Sequence, residues 1–206
     1  MKRVPIVATI VVLLAAGIMV VLGLWQLQRR AEKTVLVARY IAHQKLPPIV
    51  FPQIPVGDAL LFRRATVFCL EPFDWKVEGG RNARGGVGWR QIARCRTGAE
   101  GPGVTIQVGM SERPDARPTW RGGEVGGYIT HAPDHAPIGA ALFGRAAPQT
   151  LMLVADPPLA GLGANPPADV SAVPNNHLAY AVQWFIFAAI ALGVYALALR
   201  RRLLAG

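Results

Sequence analysis

Acidic residues, histidines and cysteines are scarce in this chain, and two long stretches carry no charge at all. Among 206 residues there are 12 Asp and Glu against 22 Lys and Arg, with four His and two Cys. Two cysteines and four scattered histidines do not make the closely spaced four-ligand set of a structural zinc. His131 and His135 have helical spacing, but Pro133 between them and Pro137 after them oppose a helix. No G-x-S-x-G turn, H-E-x-x-H helix or framed acid pair occurs, so nothing points to a hydrolase. The Gly-rich "GGVGW" and "GGEVGG" lack the strand-to-helix setting and the Lys-Ser/Thr of a phosphate loop. No basic stripe with interleaved aromatics is present, which argues against nucleic acid as a partner.

The charge-free stretches are Val4 to Gln28, 25 residues, and Leu178 to Leu199, 22 residues. At about 1.5 Å per residue, each can cross a hydrocarbon core about 30 Å thick. The first exceeds the roughly 7–15 residues of a signal-peptide core and has no A-x-A cleavage pattern after it, so it reads as an uncleaved anchor. Arg200-Arg201-Arg202 belongs in the cytoplasm under the positive-inside rule, and two spans then put Lys2 and Arg3 there too. Arg29, Arg30 and Lys33 oppose this orientation, but the two cationic ends give the simplest topology. Much of the net charge of +10 is therefore a topology signal; residues 29–177 carry 17 basic against 12 acidic side chains, a surplus of five. With no transit peptide and abundant Ala, Arg and Gly, the expected location is a bacterial inner membrane. Both termini are then cytoplasmic and the central domain periplasmic. In that oxidising space Cys69 and Cys95 can pair, or remain two buried thiols; the sequence leaves both open.

The expected class is an α+β membrane protein, two transmembrane helices flanking one exported β-rich domain, a small barrel or sandwich. Residues 1–28 hold the first span, and 29–46 continue it as a helix out of the membrane. Ala31, Val35, Ala38 and Ala42 there suggest an apolar stripe resting on the domain, and Pro47-Pro48 ends the helix. Residues 47–173 form the β-rich domain, with strands expected at Arg63–Leu70, Val87–Arg96, Val104–Met110, Glu124–Thr130 and Thr150–Ala155. Gly79-Gly80, Gly85-Gly86 and Gly101-Pro102-Gly103 read as turns. Residues 156–174 read as a Pro-rich loop, 174–177 cap the second helix, 178–199 span, and 200–206 are a basic tail.

Two constellations lie beside the spans. In "GLWQLQRRAEK", Gln26, Arg29 and Lys33 share one helical face, with Trp25 at the edge of the span. In "PNNHLAYAVQWFIFA", His177, Tyr180, Ala181 and Trp184 share another, with Asn175 or Asn176 as the N-cap. Trp25, Tyr180 and Trp184 also fit an ordinary interfacial aromatic belt, and the cations fit contacts to lipid phosphates. Should the helices pack together, as Ala189-x-x-x-Gly193 allows, they bring an imidazole, aromatic walls and a cationic ring to one site. That set suits a planar ligand with an iron centre, an apolar body and carboxylate tails, and haem matches the description.

These same residues resemble the Surfeit locus family of cytochrome oxidase assembly proteins. Gly23, Trp25, Gln26, Arg29 and Lys33 meet its G-x-W-Q-x-x-R-x-x-x-K pattern. Asn175, Asn176, His177, Tyr180, Ala181, Trp184 and Phe185 meet N-N-H-x-x-Y-A-x-x-W-F. The two runs cover about an eighth of the chain. In the centre, the family's G-x-x-V-x-x-P-L strand and N-R-G-W element are not evident.

The resemblance implies an assembly factor for haem-copper oxidases that holds haem a and assists its delivery to the catalytic subunit. In that reading His177 ligates the haem iron. Arg29 and Lys33 meet the propionates, and Gln26, Trp25, Tyr180 and Trp184 complete the pocket. The implied partners are oxidase subunits, haem-synthesis proteins and the lipid bilayer, and the chain is expected not to be an enzyme. The alternatives are a haem-free scaffold or chaperone of the same pathway, a membrane enzyme, or a periplasmic sensor.

Overall fold

The computed structural model describes residues 5–54, 56–99, 101, 103–133 and 149–204. It divides into two compact units, one made of the chain up to Ala38 together with the chain from Ser171 onward, the other of Arg39–Val170.

The helical unit is built from two helices, α1 (Ile6–Gln44, whose last turns belong to the second unit) and α2 (His177–Leu204). Both are long and apolar enough to cross a membrane. Their less exposed positions recur three and four residues apart: Thr9, Val12, Ala16, Met19, Gly23 and Gln26 on α1, and His177, Ala181, Trp184, Ala188, Ala191 and Tyr195 on α2. This alternation is the spacing of a helix–helix seam. Three facing pairs fix its direction: Gln26 meets His177, Gly23 lies under Phe185, and the Thr9 and Tyr195 hydroxyls hydrogen-bond. Numbers rise along one helix as they fall along the other, so the pair is antiparallel.

The small residues inside this seam differ from those expected. Ala189 and Gly193 are exposed, and a side chain on Gly193 would meet nothing within 4 Å. Ala16, Gly23, Ala181 and Ala188 are the buried ones. Ala181 and Ala188 are seven apart, so both stay on the seam, whereas the four-residue spacing of Ala189 and Gly193 lies on the opposite side.

α1 stops after Gln44, where Lys45 and Leu46 donate backbone N–H groups to Ala42 and His43 at 3.1 and 3.2 Å in a tightened last turn. The expected stripe of Ala31, Val35, Ala38 and Ala42 is exposed, Val35 by 65%. The face that α1 contributes to the second unit is instead that of Tyr40, His43 and Gln44. Tyr40 is buried with its ring 5.0 Å from that of Phe62; His43 Nδ1 bonds the Leu61 carbonyl at 2.8 Å and Gln44 donates to the Ala168 carbonyl at 2.6 Å. One large aromatic removes more apolar area than several alanines, which decides between two faces of similar periodicity.

The second unit is a β-rich sheet domain. Its strands are β1 (Ile49–Val50), β2 (Arg64–Cys69), β3 (Glu71–Arg81), β4 (Val87–Arg96), β5 (Val104–Ser111), β6 (Gly123–His131) and β7 (Leu151–Ala155). They form one ladder in the order β1-β2-β6-β7-β5-β4-β3. The β1–β2 and β5–β7 pairs are parallel and the rest antiparallel. Ile106, Val108, Ile129, Met152 and Leu153, from the middle strands β5, β6 and β7, are essentially inaccessible and make the core.

β3 contradicts the turn expected at Gly79-Gly80, which lies inside the strand paired with Trp89 and Gly88. A Cβ on Gly80 would come within 3.1 Å of the Arg90 side chain, so glycine here leaves room for the neighbouring arginine. The chain runs from Cys69 through Leu70 straight into Glu71, so β2 and β3, with four strands between them in the ladder, are joined by one residue. Leu70 N–H bonds Arg96 O at 2.8 Å, and Cys69 is disulfide-bonded to Cys95 with Cα atoms 5.6 Å apart. One backbone hydrogen bond and the disulfide thus tie the β2–β3 corner to the end of β4. Gly122 (φ +114°) passes so near this corner that a Cβ would lie 2.6 Å from the Cys69 carbonyl oxygen.

Residues 156–174 contain no strand. They are held by Met110 and Gly163, which exchange backbone hydrogen bonds at 2.9 and 2.8 Å, and by a buried amide pair. Gln107 Nε2 donates to Asn165 Oδ1 at 2.9 Å, and Asn165 Nδ2 donates to the Ala155 carbonyl at 2.8 Å, which satisfies the Asn165 amide.

Candidate functional site

The site is best approached from the start of α2. Tyr180 N–H bonds the Asn176 carbonyl at 3.3 Å, which makes Asn176 the N-cap and His177 the first helical residue. Seam spacing then directs His177 toward α1. Its Nδ1 lies 2.7 Å from Gln26 Oε1, within hydrogen-bond distance across the seam. His177 and Gln26 are both half-buried.

Nearby, Arg29 lies with its guanidinium 5.6 Å from the Trp25 ring centroid and forms an ion pair with Glu32 at 2.9 Å. Both members of that pair are half or more exposed, and such pairs are worth little in stability. Lys33 is half-buried, and among the described residues no carboxylate pairs with it. On α2, Trp184 is half-buried and meets Phe187 edge-on, ring centroids 6.2 Å apart. Tyr180 and Trp25 are 52% and 46% exposed and flank the seam rather than fill it.

Of the seven residues named from the sequence, the structure thus joins His177 with Gln26 and Arg29 with Trp25. Tyr180, Trp184 and Lys33 stand on the same helices, and among the described residues no hydrogen bond, ion pair or ring contact joins their side chains to His177 or Gln26. Three participants were missed. Glu32 partners Arg29, and an acid three residues after an arginine on a helix is a readable signal. Gly23 and Phe185 form the close approach one turn from Gln26; both stand in the motifs, but nothing local tells that they meet.

The sheet unit has its own polar features. His131 Nε2 lies 2.8 Å from Asp58 Oδ1, while His135 lies outside the described residues. Among the described residues no three His, Cys, Asp or Glu side chains are grouped as metal ligands. A cavity of about 550 Å³ is lined by Phe62, Arg64, Tyr128, Asp156 and Asn165 with the Pro-rich segment. Arg64 and Asp156 pair at its edge at 2.9 Å. Tyr128 donates its hydroxyl to the Pro166 carbonyl at 2.6 Å, and burial, aided by the Asp156 carboxylate, pushes its phenol up to about 12. Burial likewise raises Tyr40, with Asp58 adding to the effect and Arg39 opposing it.

The architecture is that of a protein with two membrane-length helices flanking a β-rich sheet domain. The SURF1 family model matches residues 13–189, and the chain belongs to that family. The match runs through the central domain, where the motifs read from the sequence gave no support. No curated protein matches the chain. Membership implies a part in cytochrome oxidase assembly, with oxidase subunits as the partners it suggests, and family members are assembly factors rather than known enzymes.

Proposed function

We propose that this chain is an inner-membrane factor that holds haem a near the outer face of the bilayer and assists its delivery to the catalytic subunit of a cytochrome oxidase. The observation that carries the reading is His177 itself. It is a half-buried imidazole on a helix seam, hydrogen-bonded through Nδ1, which leaves Nε2 with a lone pair for a metal.

The surrounding donor set fits the group. Trp184, Tyr180 and Trp25 supply apolar surface at partly exposed positions, which a large flat ligand can cover. Lys33 is available for a propionate, and Arg29 reaches one by exchanging its exposed Glu32 partner. Haem supplies redox-active iron when bound; the chain supplies the axial imidazole, the apolar walls and the cations.

The exposed side chains of α1 and α2 support insertion in a bilayer. Ile6, Val7, Ile10, Leu13, Leu14, Ile18 and Val21 on α1, and Ile186, Ile190, Val194 and Leu197 on α2, are each at least half exposed. A patch of that extent in water is far beyond what a monomeric soluble protein carries. The basic ends Lys2-Arg3 and Arg200–Arg202 orient both termini to the cytoplasm.

The test is complementation of a deletion strain that makes haem a. The wild-type chain restores assembled, haem-a-containing oxidase, and His177→Ala accumulates in the membrane but does not. Equal restoration by both would reduce the protein to a haem-free scaffold.

A further inference from the structure

The hydrogen bond between the two helices carries more than stability. An imidazole can present only one nitrogen to a metal in its neutral form, and its other nitrogen must then hold the proton. Gln26 Oε1 is an acceptor 2.7 Å from His177 Nδ1. Accepting there places the proton on Nδ1 and exposes the Nε2 lone pair. The reverse arrangement, with the Gln26 amide N–H donating to Nδ1, places the proton on Nε2 and removes it as a ligand. The orientation of one side-chain amide thus decides whether the histidine can bind a metal.

We infer that Gln26 is a positioning residue, which fixes the His177 ring and holds its proton on Nδ1 before any ligand arrives. The inference rests on the haem reading for what the exposed nitrogen binds, but not for the hydrogen bond itself. Three features make the arrangement specific to this seam. Gly23, one turn before Gln26, lets the Phe185 ring lie against α1, since a Cβ there would be 2.5 Å from ring carbon Cε1. Ala181, one turn after His177, is fully buried and small enough for the backbones to approach. Asn176 caps α2 so that His177 starts the helix, with its ring direction set by the first turn. An amide is also a neutral acceptor, so the ring is oriented without a charge placed beside it.

The experiment uses the full chain in detergent micelles with 15N-labelled histidine, the His177 signals being assigned by their loss in His177→Ala. In the ligand-free wild type the Nδ1 signal is that of a protonated nitrogen and Nε2 that of a bare one. Gln26→Leu keeps the volume, removes the acceptor and yields a tautomer mixture. Gln26→Glu restores an acceptor and the single tautomer. Haem a titrated into the same samples then binds Gln26→Leu roughly 10-fold to 100-fold more weakly than wild type. Gln26→Glu binds as tightly as wild type, with a lower midpoint potential because the carboxylate makes the ring more basic. A proton on Nε2 in the wild type, or tautomer and affinity unchanged in Gln26→Leu, overturns the inference while leaving the haem reading standing. A Gln26-dependent Nδ1 proton in a wild type that takes up no haem a upholds the positioning role and overturns the haem reading instead.

Discussion

The Phe185 ring occupies the space that any side chain on Gly23 would need, with ring carbons 2.5, 2.8 and 2.9 Å from where a Cβ would stand. Helix contact at this point depends on the missing side chain. Between membrane helices there is little hydrophobic drive, so close packing and interhelical hydrogen bonds carry the association. Gly23→Val is expected to push α2 away, cost about 1–3 kcal/mol of overpacking and lengthen the Gln26–His177 bond. Thermal unfolding in detergent measures the loss, and combining the change with Phe185→Ala recovers most of it. No recovery in the double variant contradicts a direct contact.

The Cys69–Cys95 disulfide, 26 residues apart in sequence, joins the corner between β2 and β3 to β4. Closing a loop of that size stabilises a fold by about 3–4 kcal/mol in the chain-entropy account. The double Cys→Ser variant of the full chain therefore unfolds at lower urea, with the slope of the transition steepened by a more open denatured state. A thiol titration of the denatured wild type that finds two free cysteines contradicts the bond outright.

Tyr128 gives the sheet unit an alkaline limit. Its folded-state phenol is raised from 10.0 to about 12, mainly by burial and then by Asp156. In the unfolded chain it ionises near 10, so unfolding releases a proton between about pH 10 and 12 and stability falls across that window. Below pH 10 this group gives no slope. Tyr40, also raised, acts with the same sign. Tyr128→Phe flattens the alkaline decline while lowering stability near neutrality by about 1 kcal/mol, because the bond to Pro166 O is lost. Chemical unfolding as a function of pH checks both, and identical slopes for wild type and variant would contradict the assignment.

Tyr195 closes the other end of the helix pair through its hydroxyl bond to Thr9. Interhelical hydrogen bonds in membranes average about 0.6 kcal/mol, so Tyr195→Phe is expected to cost that order and leave haem uptake unchanged. A large loss of haem with little loss of stability would mean that the two ends of the seam are coupled in a way this packing does not explain.

Much of this was legible in the sequence because the signals are local. Absence of charge marks the two long helices, and apolar alternation between glycines locates β2, β4, β5, β6 and β7 to within about a residue at each end. β3 was not legible. Gly79-Gly80 reads as a turn, and Pro72 and Asp74 are residues that strand interiors disfavour, yet β3 is an end strand with a register shift between Phe73 and Lys76, where Asp74 adopts φ +48°. Edge position and a bulge tolerate the residues that a central strand rejects. The site divides in the same way. His177 and Gln26 both stand in motif runs, but their meeting depends on the register of two helices about 150 residues apart, which no local pattern encodes. The seam follows the seven-residue spacing of Ala181 and Ala188, both buried, and not the small-x-x-x-small pair Ala189 and Gly193, both exposed.

The claim that His177 holds haem a is tested most directly by the absorbance spectrum of the full chain purified from membranes of a haem-a-producing host, with His177→Ala purified in parallel. A haem a spectrum is expected in the wild type, with about one haem per chain, and its loss is expected in His177→Ala at an equal yield of folded protein. A colourless wild-type protein, or a spectrum undiminished in His177→Ala, would contradict it.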